Sequence, residues 1–188
     1  MKKEVSQLKI YIVSIDPIFT YKAKELFKDE DNVYVVNDDI RKFYELHKEE
    51  IDCLVSPANA FGYMTGGYDA ALSDILGWSF QANVQKYIVD NFYGEQVVGT
   101  SFIIPTNIEG VSLIHTPTMQ YPSVIFDDMV IYHSMRSTLI CALKNDVKCI
   151  VIPAFGAATG GVKGSIVAKR MQEAYMQIKT HQGAMFSF

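Results

Sequence analysis

The chain has 188 residues, 49% of them hydrophobic and 20% charged, enough for one domain to bury a core without disulfide or metal staples. Lys and Arg number 17 against 21 Asp and Glu, a formal charge of −4. A general affinity for nucleic-acid backbones needs a basic face and is not expected; an anion can still be held by backbone N–H groups. Cys53, Cys141 and Cys149 show no metal-ligand spacing, and an odd cysteine count suits a reducing compartment. The N-terminal MKKEVSQLKIYIV lacks the pattern of a secretory signal, and no apolar run approaches the roughly 18 residues of a membrane span. The expectation is a cytoplasmic domain over residues 1–188, with no membrane partner, metal or cofactor.

In chain order, Ile10 to Ile15 reads as a strand and Ile18 to Phe27 as a helix, with Ile18, Ala23 and Leu26 at helical spacing. Val33 to Val36 is a second strand, running into Asn37-Asp38-Asp39, which suits a turn and helix cap. Ile40, Phe43, Tyr44 and His47 give the following helix its face, and Ile51 to Val55 is a third strand stopped by Ser56-Pro57. Ala58 to Gly67 is loop; a helix starts near Tyr68 with Ala71, Leu72, Ile75 and Leu76 on one side. Another helix buries Phe80, Val84, Tyr87 and Ile88 and ends before Gly94, with Trp78 and Phe80 read as core where the two helices meet. Strands follow at Gly99 to Ile104 and Val111 to His115, then a helix over Asp127 to Leu143. The last strand is Lys148 to Ile152; Pro153 to Gly164 is a second glycine-rich loop, and Ser165 to Ile178 a helix with Ile166, Met171, Ala174 and Ile178 on its stripe. Strands alternating with helices imply a three-layer α/β/α sandwich, whose ligands bind where strand ends run into helices.

Both glycine-rich loops hold that position. Gly66-Gly67 stands before a helix, with Asn59 upstream and Asp69 in the first helical turn. Gly156, Gly160 and Gly161 alternate with small residues ahead of the last helix, an arrangement that cradles a diphosphate on main-chain donors. It is neither a P-loop nor a G-x-G-x-x-G fingerprint. His115 ends a strand and reads as structural, and the loop from Thr116 to Pro122 serves equally well as a nucleotide contact or a stiff connection.

Asp52 to Asp69 resembles the macrodomain signature: a strand, N-A-A-N, a run to two or three glycines, then an acid entering a helix. Pro153 to Val162 resembles the partner signature P-x-hydrophobic-G-T-G-x-G-G, and VYVVNDDI at 33–40 resembles the strand leading into a G-D-I turn. The likeness spans roughly residues 8 to 180 and looks closest to the bacterial and phage-type branch with S-P-A-N. It implies a mixed central sheet and a cleft for ADP-ribose or a related NAD-derived nucleotide. Asp39, with Asp38 as its rival, would hold the adenine amino group. Asn59 would lie near the distal ribose, and Asp69 would activate water or that ribose in a hydrolase. Gly66 and Gly67 would form the first phosphate loop, and Gly156, Ala157, Ala158, Thr159, Gly160 and Gly161 the diphosphate loop. Phe155 would stand at its entrance over a ribose face; Ile40, Ala58, Pro153 and Val162 complete the expected ligand-binding set.

Two departures stand out. Ser56 replaces the first asparagine and removes an amide from the floor of the cleft. Ala157 and Ala158 replace Thr and Gly, so phosphate binding requires negative φ there. The expected partner is ADP-ribose or an ADP-ribosylated macromolecule, from which the chain would hydrolyse the ADP-ribosyl group. The alternatives are a non-catalytic ADP-ribose-binding module and another nucleotide-binding α/β protein, for instance one acting on a cyclic phosphate.

Overall fold

The computed structural model describes residues 4–181; the outermost residues of the expected 1–188 domain lie outside that range. The strands are β1 (Lys9–Ser14), β2 (Val33–Asn37), β3 (Cys53–Ser56), β4 (Phe102–Pro105), β5 (Ser112–His115) and β6 (Cys149–Pro153). The helices are α1 (Pro17–Leu26), α2 (Ile40–His47), α3 (Gly67–Leu76), α4 (Gln81–Phe92), α5 (Met129–Lys144) and α6 (Gly164–His181). One mixed sheet runs β2-β1-β6-β3-β5-β4, parallel throughout except for β4, which pairs antiparallel with β5.

Successive strand side chains point to opposite faces, so each strand supplies two cores. Ile10, Ile12, Ile150 and Ile152 pack with α1, α5 and α6, while Tyr11, Val13, Cys149 and Val151 pack with α2, α3 and α4. That double burial explains why the strands read as unbroken apolar runs rather than as alternating patterns. Carboxylates fix the entry of α1 and α2. Asp16 Oδ1 accepts from the N–H groups of Ile18 (2.8 Å) and Phe19 (3.2 Å), and Asp39 Oδ1 accepts from Arg41 N–H (2.8 Å).

Several sequence expectations shift. β1 stops at Ser14, leaving Ile15 75% exposed, and Ile18 also faces out. Trp78 is not core: it is 56% exposed and its indole N–H reaches Asp74 (3.0 Å), whereas Phe80 is buried as expected. On α6, Ile166 lies at the edge of the stripe and is exposed, and Val167 and Ala168 take the buried place. Among the described residues no helix is long and apolar enough to cross a membrane.

Candidate functional site

The carboxyl ends of β1, β2, β3, β5 and β6 open on one side of the sheet, and the loops that follow them enclose a cavity of about 640 Å³. Strand-end crevices of this kind are where open α/β sheets bind ligands, and the volume suits a nucleotide. Both glycine loops line it, one following β3 and the other following the neighbouring strand β6.

The chemistry of its walls is mainly backbone. At the start of α3, the N–H groups of Gly66, Gly67, Tyr68 and Asp69 donate to no acceptor among the described residues, as the first turn of a helix requires. In the second loop the N–H groups of Gly156, Ala158, Thr159 and Gly160 are likewise unpaired among the described residues. These two sets of donors belong to residues that line one cavity, an arrangement that can hold an anion on the main chain. Glycine is required at 156 and 160. Gly156 has φ of 72°, and a Cβ added at Gly160 would lie 2.6 Å from the Gly156 carbonyl and 2.6 Å from Ile125 Cδ1. Ile125 therefore braces the loop, and its own N–H donates to the Gly160 carbonyl (2.9 Å). Ala157 and Ala158 keep negative φ, which meets the condition that the alanines impose.

Asp69 sits in the first turn of α3, 7% exposed, at the wall of the cavity. Ser56, at the end of β3 and fully buried, donates its hydroxyl to Asp69 Oδ1 (2.5 Å). Burial raises the Asp69 carboxyl to about 7, and the Ser56 hydrogen bond only partly offsets it. Ser56 thus supplies the only side-chain hydrogen bond to this carboxylate among the described residues.

Asn59 lines the cavity, but its side chain is engaged by its own loop. Oδ1 accepts from the N–H groups of Phe61 (3.1 Å) and Tyr63 (3.3 Å), and Nδ2 donates to the Tyr63 carbonyl (3.1 Å). One amide hydrogen is left for a ligand. Asp38 and Asp39 both line the cavity, with Ile40, and each has a cation: Asp38 pairs with Lys42 (3.2 Å) and Asp39 with Arg41 (3.1 Å). Arg41 also reaches Asp74 (2.7 Å).

Ala58, Gly66, Gly67, Pro153, Gly156, Ala157, Ala158, Thr159 and Gly160 all line the cavity as expected from the sequence. Three residues of the expected set do not. Phe155 is fully buried against the α5–α6 core instead of standing at the loop's entrance, because the turn after β6 folds its ring inward, where burial of a ring that size is most favourable. Gly161 and Val162 lie beyond the wall, where the chain has turned toward α6. Lys163 is exposed and off the wall. Thr118, Met119 and Pro122 from the loop after β5 are lining residues, which settles that ambiguous segment's position, and His115 is buried, its Nδ1 against Gln96 Oε1 (2.6 Å) and its basicity lowered to about 3 by desolvation. Arg41, Ile125 and Tyr68 escaped sequence reasoning; Tyr68 lines the cavity next to Asp69, and its buried hydroxyl has no hydrogen-bond partner among the described residues.

Comparison with known proteins agrees with this fold. Related sequences include an uncharacterized protein of Aquifex aeolicus, 28% identical over 125 residues, spanning 66% of this chain and 72% of the relative. Another, from Aeropyrum pernix, is 26% identical over 125 residues, spanning 66% of this chain and 64% of the relative. Among solved structures, the macrodomain of Mycobacterium tuberculosis DarG superposes with a TM-score of 0.59 at 18% identity, covering 69% of this chain and 84% of that one. The Oceanobacillus iheyensis macrodomain with ADP gives 0.61 at 18% identity, covering 76% and 74%. Residues 55–171, from the end of β3 into α6 and including both glycine loops, match the Macro domain family, and the chain belongs to that family.

Proposed function

We propose that this chain binds ADP-ribose in the cleft and hydrolyses ADP-ribosyl linkages on a modified macromolecule, with Asp69 as the proton carrier. The observation that carries the reading is Asp69 itself: a nearly buried carboxyl, raised to about 7, two residues beyond the glycine pair whose N–H groups face the cavity. A group that titrates near the working pH is the most effective acid–base catalyst.

In this reading the diphosphate lies between the loop at Gly66-Gly67 and residues 156–160, held by main-chain N–H groups. Asp39 accepts from the adenine amino group through the carboxylate it shares with Arg41, with Ile40 beside it. The distal ribose lies by Asp69, and the remaining Asn59 amide hydrogen fixes one of its hydroxyls. As the bond from the ribose anomeric carbon to the leaving oxygen breaks, Asp69 gives that oxygen a proton. Water bonds to the anomeric carbon and returns a proton to Asp69. Released alcohol or acid and free ADP-ribose balance the bond broken and the water consumed. Positioning on the two loops supplies much of the acceleration.

One observation favours binding without turnover: the Asn59 side chain is engaged by its own loop, so few side chains other than Asp69 are free at the ribose end. Incubation with aspartate/glutamate-, serine- and DNA-linked ADP-ribose separates the two. Release of free ADP-ribose from at least one linkage is the expected result; tight binding of ADP-ribose with no release from any of them makes the chain a binding module.

A further inference from the structure

The carboxylates around the cleft do not carry their charges alike. Asp16, at the end of β1, accepts from two N–H groups at the start of α1. Asp38 has Lys42, and Asp39 has Arg41. Among the described residues Asp69 has no cation: Oδ1 takes the Ser56 hydroxyl, and Oδ2 takes no hydrogen bond. The other charged and titratable residues that line the same cavity are Asp16, Asp38, Asp39, Arg41 and Tyr63, with Tyr68 next to it on α3 and Ser56 against it on β3. The loops after β5 and β6 contribute no ionisable side chain to the wall. An anionic ligand therefore enters a cavity in which Asp69 is, among the described residues, the one carboxylate without a cation or a pair of N–H donors.

We propose that Asp69 is protonated in the nucleotide complex, with the proton on Oδ2, so that binding the anion takes up a proton from solvent and Asp69 donates a hydrogen bond to the ligand. The proposal rests on the reading that the diphosphate lies between the two glycine loops. Ser56 donates to Oδ1, which leaves Oδ2 as the oxygen that can carry a proton toward the cavity. A second negative charge nearby favours the neutral form of the acid, in the same direction as burial, which already brings Asp69 to about 7.

The sign follows. Below that value free Asp69 already holds its proton, and binding takes up none. Above it, free Asp69 is ionised, and each molecule that binds must first restore the proton, so affinity falls as pH rises until the pKa of the complex is reached. The diphosphate of ADP-ribose stays doubly ionised throughout this range and contributes no titration of its own. His115 remains neutral, and neither His47 nor His133 lines the cavity.

The test is calorimetric titration of the intact chain with ADP-ribose at about pH 6.5 and about pH 8.5, each in two buffers of different ionisation enthalpy. The expected result is an affinity about tenfold weaker at the higher pH, with proton uptake approaching a full equivalent there and much less at the lower pH. Asp69→Asn, neutral and of the same shape, should lose both the pH dependence and the uptake; its melting temperature shows whether it is folded. Equal affinity at the two pH values, or proton uptake that survives in folded Asp69→Asn, would overturn the proposal while leaving ADP-ribose binding intact. No binding at either pH would overturn the proposed function and this inference with it. If the variant does not fold, the wild-type proton count decides by itself.

Discussion

Ala158→Glu should abolish ADP-ribose binding. Ala158 is exposed on the cavity wall, keeps negative φ, and has an unpaired N–H in the row that would face the diphosphate. A glutamate there meets no backbone strain, so the fold and melting temperature should be little changed. Its side chain fills the cradle and sets a third negative charge against a dianion. Like-charge juxtaposition at an interface costs several kcal/mol, which corresponds to a loss of affinity of about a hundredfold or more. Ala158→Ser keeps the N–H without the charge and should bind within a few-fold of wild type. Calorimetric titration of both variants checks the pair. A glutamate variant that binds normally would remove the second glycine loop from the site. Gly160→Glu is a poorer probe, because its Cβ alone would crowd the Gly156 carbonyl and Ile125, and lost binding could then reflect a broken loop.

The second large effect concerns turnover. Asp69→Asn preserves the shape and can still accept from Ser56, but it cannot pass a proton. Turnover of a linkage that the wild type cleaves should fall about 10²- to 10⁴-fold, the usual contribution of a general acid–base group. Near pH 6.5 the Michaelis constant should change little, since a neutral amide imitates the protonated acid. The wild-type profile carries the matching signature. Because Asp69 enters the reaction protonated, kcat/KM should decline as pH rises above about 7, where free Asp69 ionises. Should Asp69→Asn retain full turnover while melting lower, Asp69 would be a helix-terminal charge and the chemistry would lie elsewhere.

The fold was legible because each strand is apolar on both faces and each helix has a bounded stripe; the strand and helix centres read from residues 10–178 coincide with the observed elements to within a few residues. The misreadings are local. Ile15, Ile18 and Ile166 are apolar residues at the ends or edges of elements, where periodicity carries least information. Phe155 was misplaced because a consensus position gives a residue's place in the chain and not the direction its side chain takes. The glycine loops were visible as sequence, since close backbone approach leaves glycine as a trace. Ser56 and Arg41 were harder. Their roles arise from pairings between elements, Ser56 with Asp69 and Arg41 with Asp74, and no spacing rule joins β3 to α3 or α2 to α3. Ile125 had no local signal at all, because its contact with Gly156 and Gly160 forms between segments far apart in the chain.

A crystal structure of the protein soaked with ADP-ribose is the most direct measurement. The expected complex has the diphosphate between the two loops, its oxygens about 2.7–3.2 Å from the main-chain nitrogens of Gly67 and of Ala158 to Gly160. The adenine lies toward Asp39 and the distal ribose toward Asp69. A nucleotide bound outside this cavity, or one whose diphosphate projects into solvent away from both loops, would contradict a main-chain cradle at this site.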